Sequence, residues 1–183
     1  MKTHVLSLVG LFLCPFLFSQ ILTVNDGSSV SIASGSSITL DGLEIAPSDT
    51  YVISGANDVS RSATAATAGS NSSVSRVYSS SALLSGFTGT LTFSYLEGEL
   101  NDIAEADLVL ELQADDDSWT TYVGTVDQAN NTVSYTFTEA VSFKTVTASA
   151  SGATLTVEDV LQPKKNELCQ NLKRKEVQLA LQY

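Results

Sequence analysis

The sequence predicts an all-β protein, a single antiparallel β-sandwich of Ig-like or jelly-roll-like kind, and two observations carry that prediction. Phe87, Leu91, Phe93 and Tyr95 alternate with Thr88, Thr90, Thr92 and Ser94, and shorter runs elsewhere repeat the pattern. Residues two apart share one face of a strand, and β-branched and aromatic side chains suit its pleated surface. Such a run buries one face and wets the other. Gly-, Asn- and Asp-containing turns also recur about every 8–12 residues, which is the rhythm of antiparallel reversals and not of βαβ units. The run 87–95 reads as the central strand. It leads into an acidic turn, Glu97 to Asn101, where Leu100 folds back as an anchor.

Residues 1–19 read as a signal peptide. Lys2 supplies the positive start, Val5 to Phe18 is apolar but for Ser7, Gly10 and Pro15, and Ser19 is the small residue before a cut. The run is shorter than the ~20 residues that a membrane-spanning helix needs, so no span is expected. Residues 20–160 read as one sandwich domain of seven to ten strands. Residues 161–183 read as a basic tail, disordered or a short helix, because alternation stops and Lys164, Lys165, Lys173, Arg174 and Lys175 accumulate.

Within the domain the elements follow in order. Val30 with Ile32, Ile38 with Leu40, Leu43 with Ile45, and Tyr51 to Ile53 are short strands separated by Gly-Ser and Asp-Gly turns. Ser54 to Ser73 has few large side chains to bury and reads as a loop or a long hairpin tip. Val74 to Tyr78 is a strand that precedes the central one. Leu108 to Leu112, Trp119 to Val123, Val126, Thr132 to Thr138, Phe143 to Ala148 and Ala153 to Val157 complete the series. Asp115-Asp116-Asp117-Ser118 and Asn130-Asn131 supply turns between them.

Charge and composition exclude several functions. Residues 21–160 carry eighteen carboxylates against Arg61, Arg76 and Lys144. A domain this acidic repels phosphate backbones and anionic lipid, so no nucleic-acid partner is expected. His4 and Cys14 lie in the leader and Cys169 in the tail. The domain therefore has no histidine for acid–base work and no intramolecular disulfide or thiol chemistry.

The order Arg76-Val77-Tyr78, Gly89-Thr90-Leu91-Thr92-Phe93-Ser94-Tyr95, Glu99-Leu100-Asn101, Leu108-Val109-Leu110, Trp119 and Phe143 to Ala148 resembles secreted cell-surface β-sandwich proteins of gliding Bacteroidota. These are adhesin-like and often exported by the type IX system. The resemblance spans roughly Asp41 to Ala148. It implies a secreted or cell-surface location after signal-peptide cleavage, and an adhesive role.

Carboxylates are the remaining chemistry. Glu97 and Glu99 could share a strand face, as the paired acids of a glycosidase would. Calcium suits the acids better, since it takes several oxygens at about 2.3–2.6 Å, often from sharp turns. The candidate ligands are Glu97, Glu99 and Asp102 in one cluster and Asp115, Asp116 and Asp117 in another; neither fits an EF-hand loop. Exposed acids also serve simply to keep edge strands from pairing. The expected function is a non-catalytic exported module for adhesion or ligand binding, with a glycan or a protein as the surface ligand. The alternative is a carbohydrate-binding module or a carboxylate-dependent glycoside hydrolase.

Overall fold

The computed structural model describes residues 19–68, 71–152 and 155. Its strands are β1 (Ser19–Val24), β2 (Ser29–Ile32), β3 (Ile38–Leu40), β4 (Leu43–Pro47), β5 (Tyr51–Ser54), β6 (Asn57–Ser62) and β7 (Thr67–Ala68). There follow β8 (Asn71–Ser72), β9 (Val77–Ser94), β10 (Leu108–Gln113), β11 (Trp119–Tyr122), β12 (Thr125–Asp127) and β13 (Thr132–Ala150).

Two strands set the architecture. β9 and β13 pair antiparallel from Ser94 with Thr132 at one end to Tyr78 with Val146 at the other. A straight strand would hold Tyr78 and Phe93 about 50 Å apart. Their rings instead meet edge to face with centroids 5.7 Å apart, so β9 curls back across the core. The bend coincides with register shifts between Phe137 and Val141, Val141 and Phe143, and Phe143 and Thr145. Extra residues at such bulges kink and twist a ladder without ending it. Gly89, at φ +130°, lets the second half of β9 lie against β4, where any Cβ would collide with the Ala46 carbonyl.

One continuous sheet thereby becomes two facing halves. The first half runs β1-β6-β9-β13-β10-β11, using the start of β9 and the end of β13. In the second half β4 and β12 flank the other ends of β9 and β13, and β3 lies beyond β4. The antiparallel β2–β5 pair, whose strands are separated in sequence by β3 and β4, adds Ile32, Tyr51 and Ile53 to the same core. Phe87 sits at the centre, edge to face with Tyr51, Phe137 and Phe143. The expected all-β sandwich is what forms, with Leu91, Phe93 and Tyr95 buried on the central strand.

Several boundaries differ from the sequence reading. Val74 to Tyr78 and the 87–95 run belong to one strand or its lead-in, and so do Thr132 to Thr138 and Phe143 to Ala148. Bulged stretches lack alternation and so resemble turns. The described residues hold thirteen strands, more than the seven to ten expected, because pieces of two to four residues pair independently. Ser54 to Ser73 contains β6, seated between β1 and β9. Asn57 is buried there because its side chain bonds both backbone groups of Ala82, at 3.3 Å to the carbonyl and 3.1 Å from the N–H. Of the expected strand Ala153 to Val157 only Leu155 lies among the described residues. Residues 1–18 of the leader and all of 161–183 lie outside them. No helix among the described residues is long and apolar enough to cross a membrane.

Candidate functional site

The two acidic clusters are put to different uses. Glu99 closes a single 3-10 turn, Glu97–Glu99, and its carboxylate faces inward. Arg76 grips it with two bonds, Nε to Oε2 at 2.7 Å and Nη2 to Oε1 at 3.0 Å, while the Leu96 N–H donates to Oε2 at 2.9 Å. The third guanidinium nitrogen donates to the Asp41 carbonyl at 2.9 Å and to the Tyr78 hydroxyl at 3.1 Å. Tyr78 donates to the same carbonyl at 2.6 Å. Gly42, at φ +99°, makes this possible, since a Cβ would stand 2.7 Å from Arg76 Nη1. Burial works against the Arg76 charge, but the bonds to Glu99 and Tyr78 outweigh it and hold the guanidinium pKa above its ordinary value. Arg61 extends the network outward, with Nε 2.6 Å from Asp41 Oδ2.

Arg76 and Tyr78 of one sequence motif therefore meet Glu99, expected among the calcium ligands, in one cluster. Asn101, from the same motif as Glu99, instead ties the turn to the preceding segment, with Nδ2 3.1 Å from Ser72 Oγ and 3.2 Å from the Ser73 carbonyl. Glu97 and Asp102 take no part in it; Asp102 is exposed in the left-handed region at φ +64°.

Asp115, Asp116 and Asp117 occupy the turn between β10 and β11. Asp115 pairs with Lys144. Asp116 accepts from the Ser118 hydroxyl at 2.6 Å and from its N–H at 3.2 Å, which hold its carboxyl below the usual range. Asp117 completes the turn at φ +64°. Among the described residues no group of three His, Cys, Asp or Glu side chains is placed to hold a metal ion. Melting in millimolar calcium should therefore match melting in sodium chloride of equal ionic strength. A midpoint several degrees higher in calcium alone would restore the calcium reading, since saturation at a hundredfold excess over Kd adds about 2.7 kcal/mol.

That turn also walls an open depression of about 460 Å³, lined by Leu83, Ala114, Asp115, Asp116, Ser118 and Ser142. Leu83 and Ser142 come from the bend regions of β9 and β13. The bulges that fold the sheet thus also open this surface. Leu83 is an exposed apolar side chain at its side, Ala114 adds a methyl group, and the remaining walls offer carboxylates and hydroxyls.

A second polar surface lies on the outer face of the β4 half. Register places Thr39, Glu44, Thr92, Ser134 and Thr125 in one row across β3, β4, β9, β13 and β12. All five are exposed or partly exposed, about 4.8 Å apart from strand to strand. In the adjacent row the Thr90 and Thr136 hydroxyls bond each other at 2.8 Å.

Glu111 is the residue that sequence reading passed over. It lies in β10 and is fully buried, with oxygens that accept from Ser149 at 2.6 Å, from Thr121 at 3.1 Å and from the Leu155 N–H at 3.2 Å. Burial pushes its carboxyl pKa up, and the Ser149, Leu155 and Thr121 bonds pull it back only in part. The available signal was one acid inside the apolar run Leu108-Val109-Leu110-Glu111-Leu112.

Compared with known proteins, the chain matches no family model, no curated protein and no solved structure at a significant level.

Proposed function

We propose that this protein is a non-catalytic exported module for adhesion or ligand binding at the cell surface or outside the cell. The depression at the sheet bend carries the reading. Its volume falls in the range of small-ligand sites, about 300–1,000 Å³, and it combines an apolar contact with converging polar groups. Its carboxylates are poorly suited to acid catalysis. Asp116 is held in its ionised form, and Glu111, the acid among the described residues whose pKa is raised, lies outside the depression with no exposed surface for a substrate to reach.

The row Thr39, Glu44, Thr92, Ser134, Thr125 favours a second reading, a carbohydrate-binding module. Four regularly spaced hydroxyls and the Glu44 carboxylate across five strands offer donors and acceptors to the hydroxyls of an extended glycan. One experiment separates the readings. The purified protein is screened on glycan and extracellular-protein arrays, and each hit is retested with Asp115→Asn/Asp116→Asn and with Thr92→Val/Ser134→Ala. A tenfold loss with the first pair alone places binding in the depression, and a tenfold loss with the second alone places it on the hydroxyl row. Hydrolysis of a glycoside substrate, or binding that neither pair weakens, would overturn the proposal.

A further inference from the structure

The acids that wall the depression at the sheet bend are committed to different degrees. Asp115 meets the ammonium of Lys144, a strand residue of β13. That bond, with the charges of Asp115 and Asp117, holds Lys144 in its cationic form. The turn therefore already seats one primary ammonium on a carboxylate. Asp116 beside it is exposed and is met by neutral groups. Its Oδ1 accepts from the Ser118 hydroxyl at 2.6 Å and from the Ser118 N–H at 3.2 Å. A carboxylate oxygen offers about two lone-pair sites, so these two donors fill Oδ1 and leave Oδ2 for a ligand.

The other walls narrow the choice of ligand. Leu83 and Ala114 offer apolar surface beside the acids, and Ser142 offers a hydroxyl whose oxygen already accepts from the Gly86 N–H at 3.2 Å. A ligand that answers all of these carries a positive head on an aliphatic stem. A guanidinium fork grips best where both oxygens of a carboxylate are open, and Oδ1 is taken. An ammonium is a point charge and needs only one oxygen. An anionic ligand meets repulsion from the three aspartates of the turn. The eighteen carboxylates against three cations in residues 21–160 steer cations toward the domain and anions away from it.

Taking the depression as the ligand site, as above, we propose that it binds lysine side chains of an extracellular partner protein, with the ammonium on Asp116 and the stem on Leu83 and Ala114. Lys144 on Asp115 is the intramolecular instance of the same contact.

The probe is Nα-acetyl-lysine amide, titrated into the full chain at about pH 7 and followed by ¹H–¹⁵N spectra. Saturating shifts are expected at Leu83, Ala114, Asp116, Ser118 and Ser142. Nα-acetyl-norleucine amide keeps the stem without the charge and should give none. Nα-acetyl-arginine amide should bind more weakly than lysine, by about threefold or more. Asp116→Asn should weaken lysine binding about tenfold, since it removes a charge-assisted bond. Glu97→Gln removes an exposed acid outside the depression and should leave lysine binding unchanged. Lysine shifts that do not saturate, norleucine binding equal to lysine, or arginine binding as tight as lysine would overturn the proposal. So would a loss in Glu97→Gln equal to that in Asp116→Asn, which would mark a diffuse response to charge. An array ligand that needs Asp115 and Asp116 but is not displaced by the lysine amide would overturn the lysine assignment and keep the depression as the ligand site. The three native-chain titrations decide the matter even if a variant does not fold.

Discussion

Phe93→Ala is expected to destabilise the protein by about 3–5 kcal/mol. The ring has no exposed surface and packs edge to face on Tyr78, its neighbour across the curl of β9. Its loss leaves a cavity that a close-packed interior fills poorly, and it removes an aromatic pair worth about 0.5–1.5 kcal/mol beyond its buried area. Thr92→Val, one residue away on the outer face, should change stability by no more than about 0.5 kcal/mol. Urea denaturation followed by Trp119 emission measures both. Equal midpoints for Phe93→Ala and the native chain would mean that the two halves of β9 do not face each other across a core.

That curl marks where sequence reasoning stops. Alternation identifies Phe87 to Tyr95 as a half-buried strand because period two is a local property of the pleat. The passage of β9 and β13 from one half-sheet to the other is not local. At residues 79–86 and 138–142 bulges break the alternation, so the sequence reads as two strands and a turn. β6 escaped for a related reason: Asn57 is polar and Asp58 and Ser60 flank the one strongly apolar residue, Val59. Only the bonds from Asn57 to Ala82 show why a core position there tolerates an amide. The acids divide in the same way. Asp115 to Asp117 were legible as a turn from composition. Glu99 looked like a partner of Glu97 and Asp102, but its partner lies 23 residues upstream at Arg76. Glu111 stood in an apolar run, and its donors come from three separate segments that only the fold brings together.

The second large effect belongs to Arg76. Arg76→Ala should cost about 3–5 kcal/mol, because it strips the inward-facing Glu99 carboxylate of its two-bond partner and leaves only the more exposed Arg61, with Nη1 3.7 Å from Oε1, as a cation. The geometry supports a value near the top of the range for ion pairs. Two nitrogens meet two oxygens at 2.7 and 3.0 Å, and the side chains of Arg76 and Glu99 are 9% and 16% exposed. Arg61, which pairs with Asp41 and reaches Glu99 only at 3.7 Å, makes the internal comparison within the same network. Its pair with Asp41 is equally short but 25% and 45% exposed, and Arg61→Ala should cost no more than about 1 kcal/mol. Arg76→Met combined with Glu99→Leu should recover much of the loss, since apolar groups that replace both partners leave no charge stranded. A double-mutant cycle in urea, run at 0.1 M and 1 M sodium chloride, reads the coupling directly. The Arg76–Glu99 coupling should survive in 1 M salt, where exchange between exposed charges is screened over about 3 Å. If Arg76→Ala costs less than 1 kcal/mol, or if high salt abolishes the coupling, the cluster is a surface ion pair. The turn at Glu97–Glu99 would then be held to the sandwich by Leu100 and the backbone bond from Ser75 to the Glu99 carbonyl, not by charge.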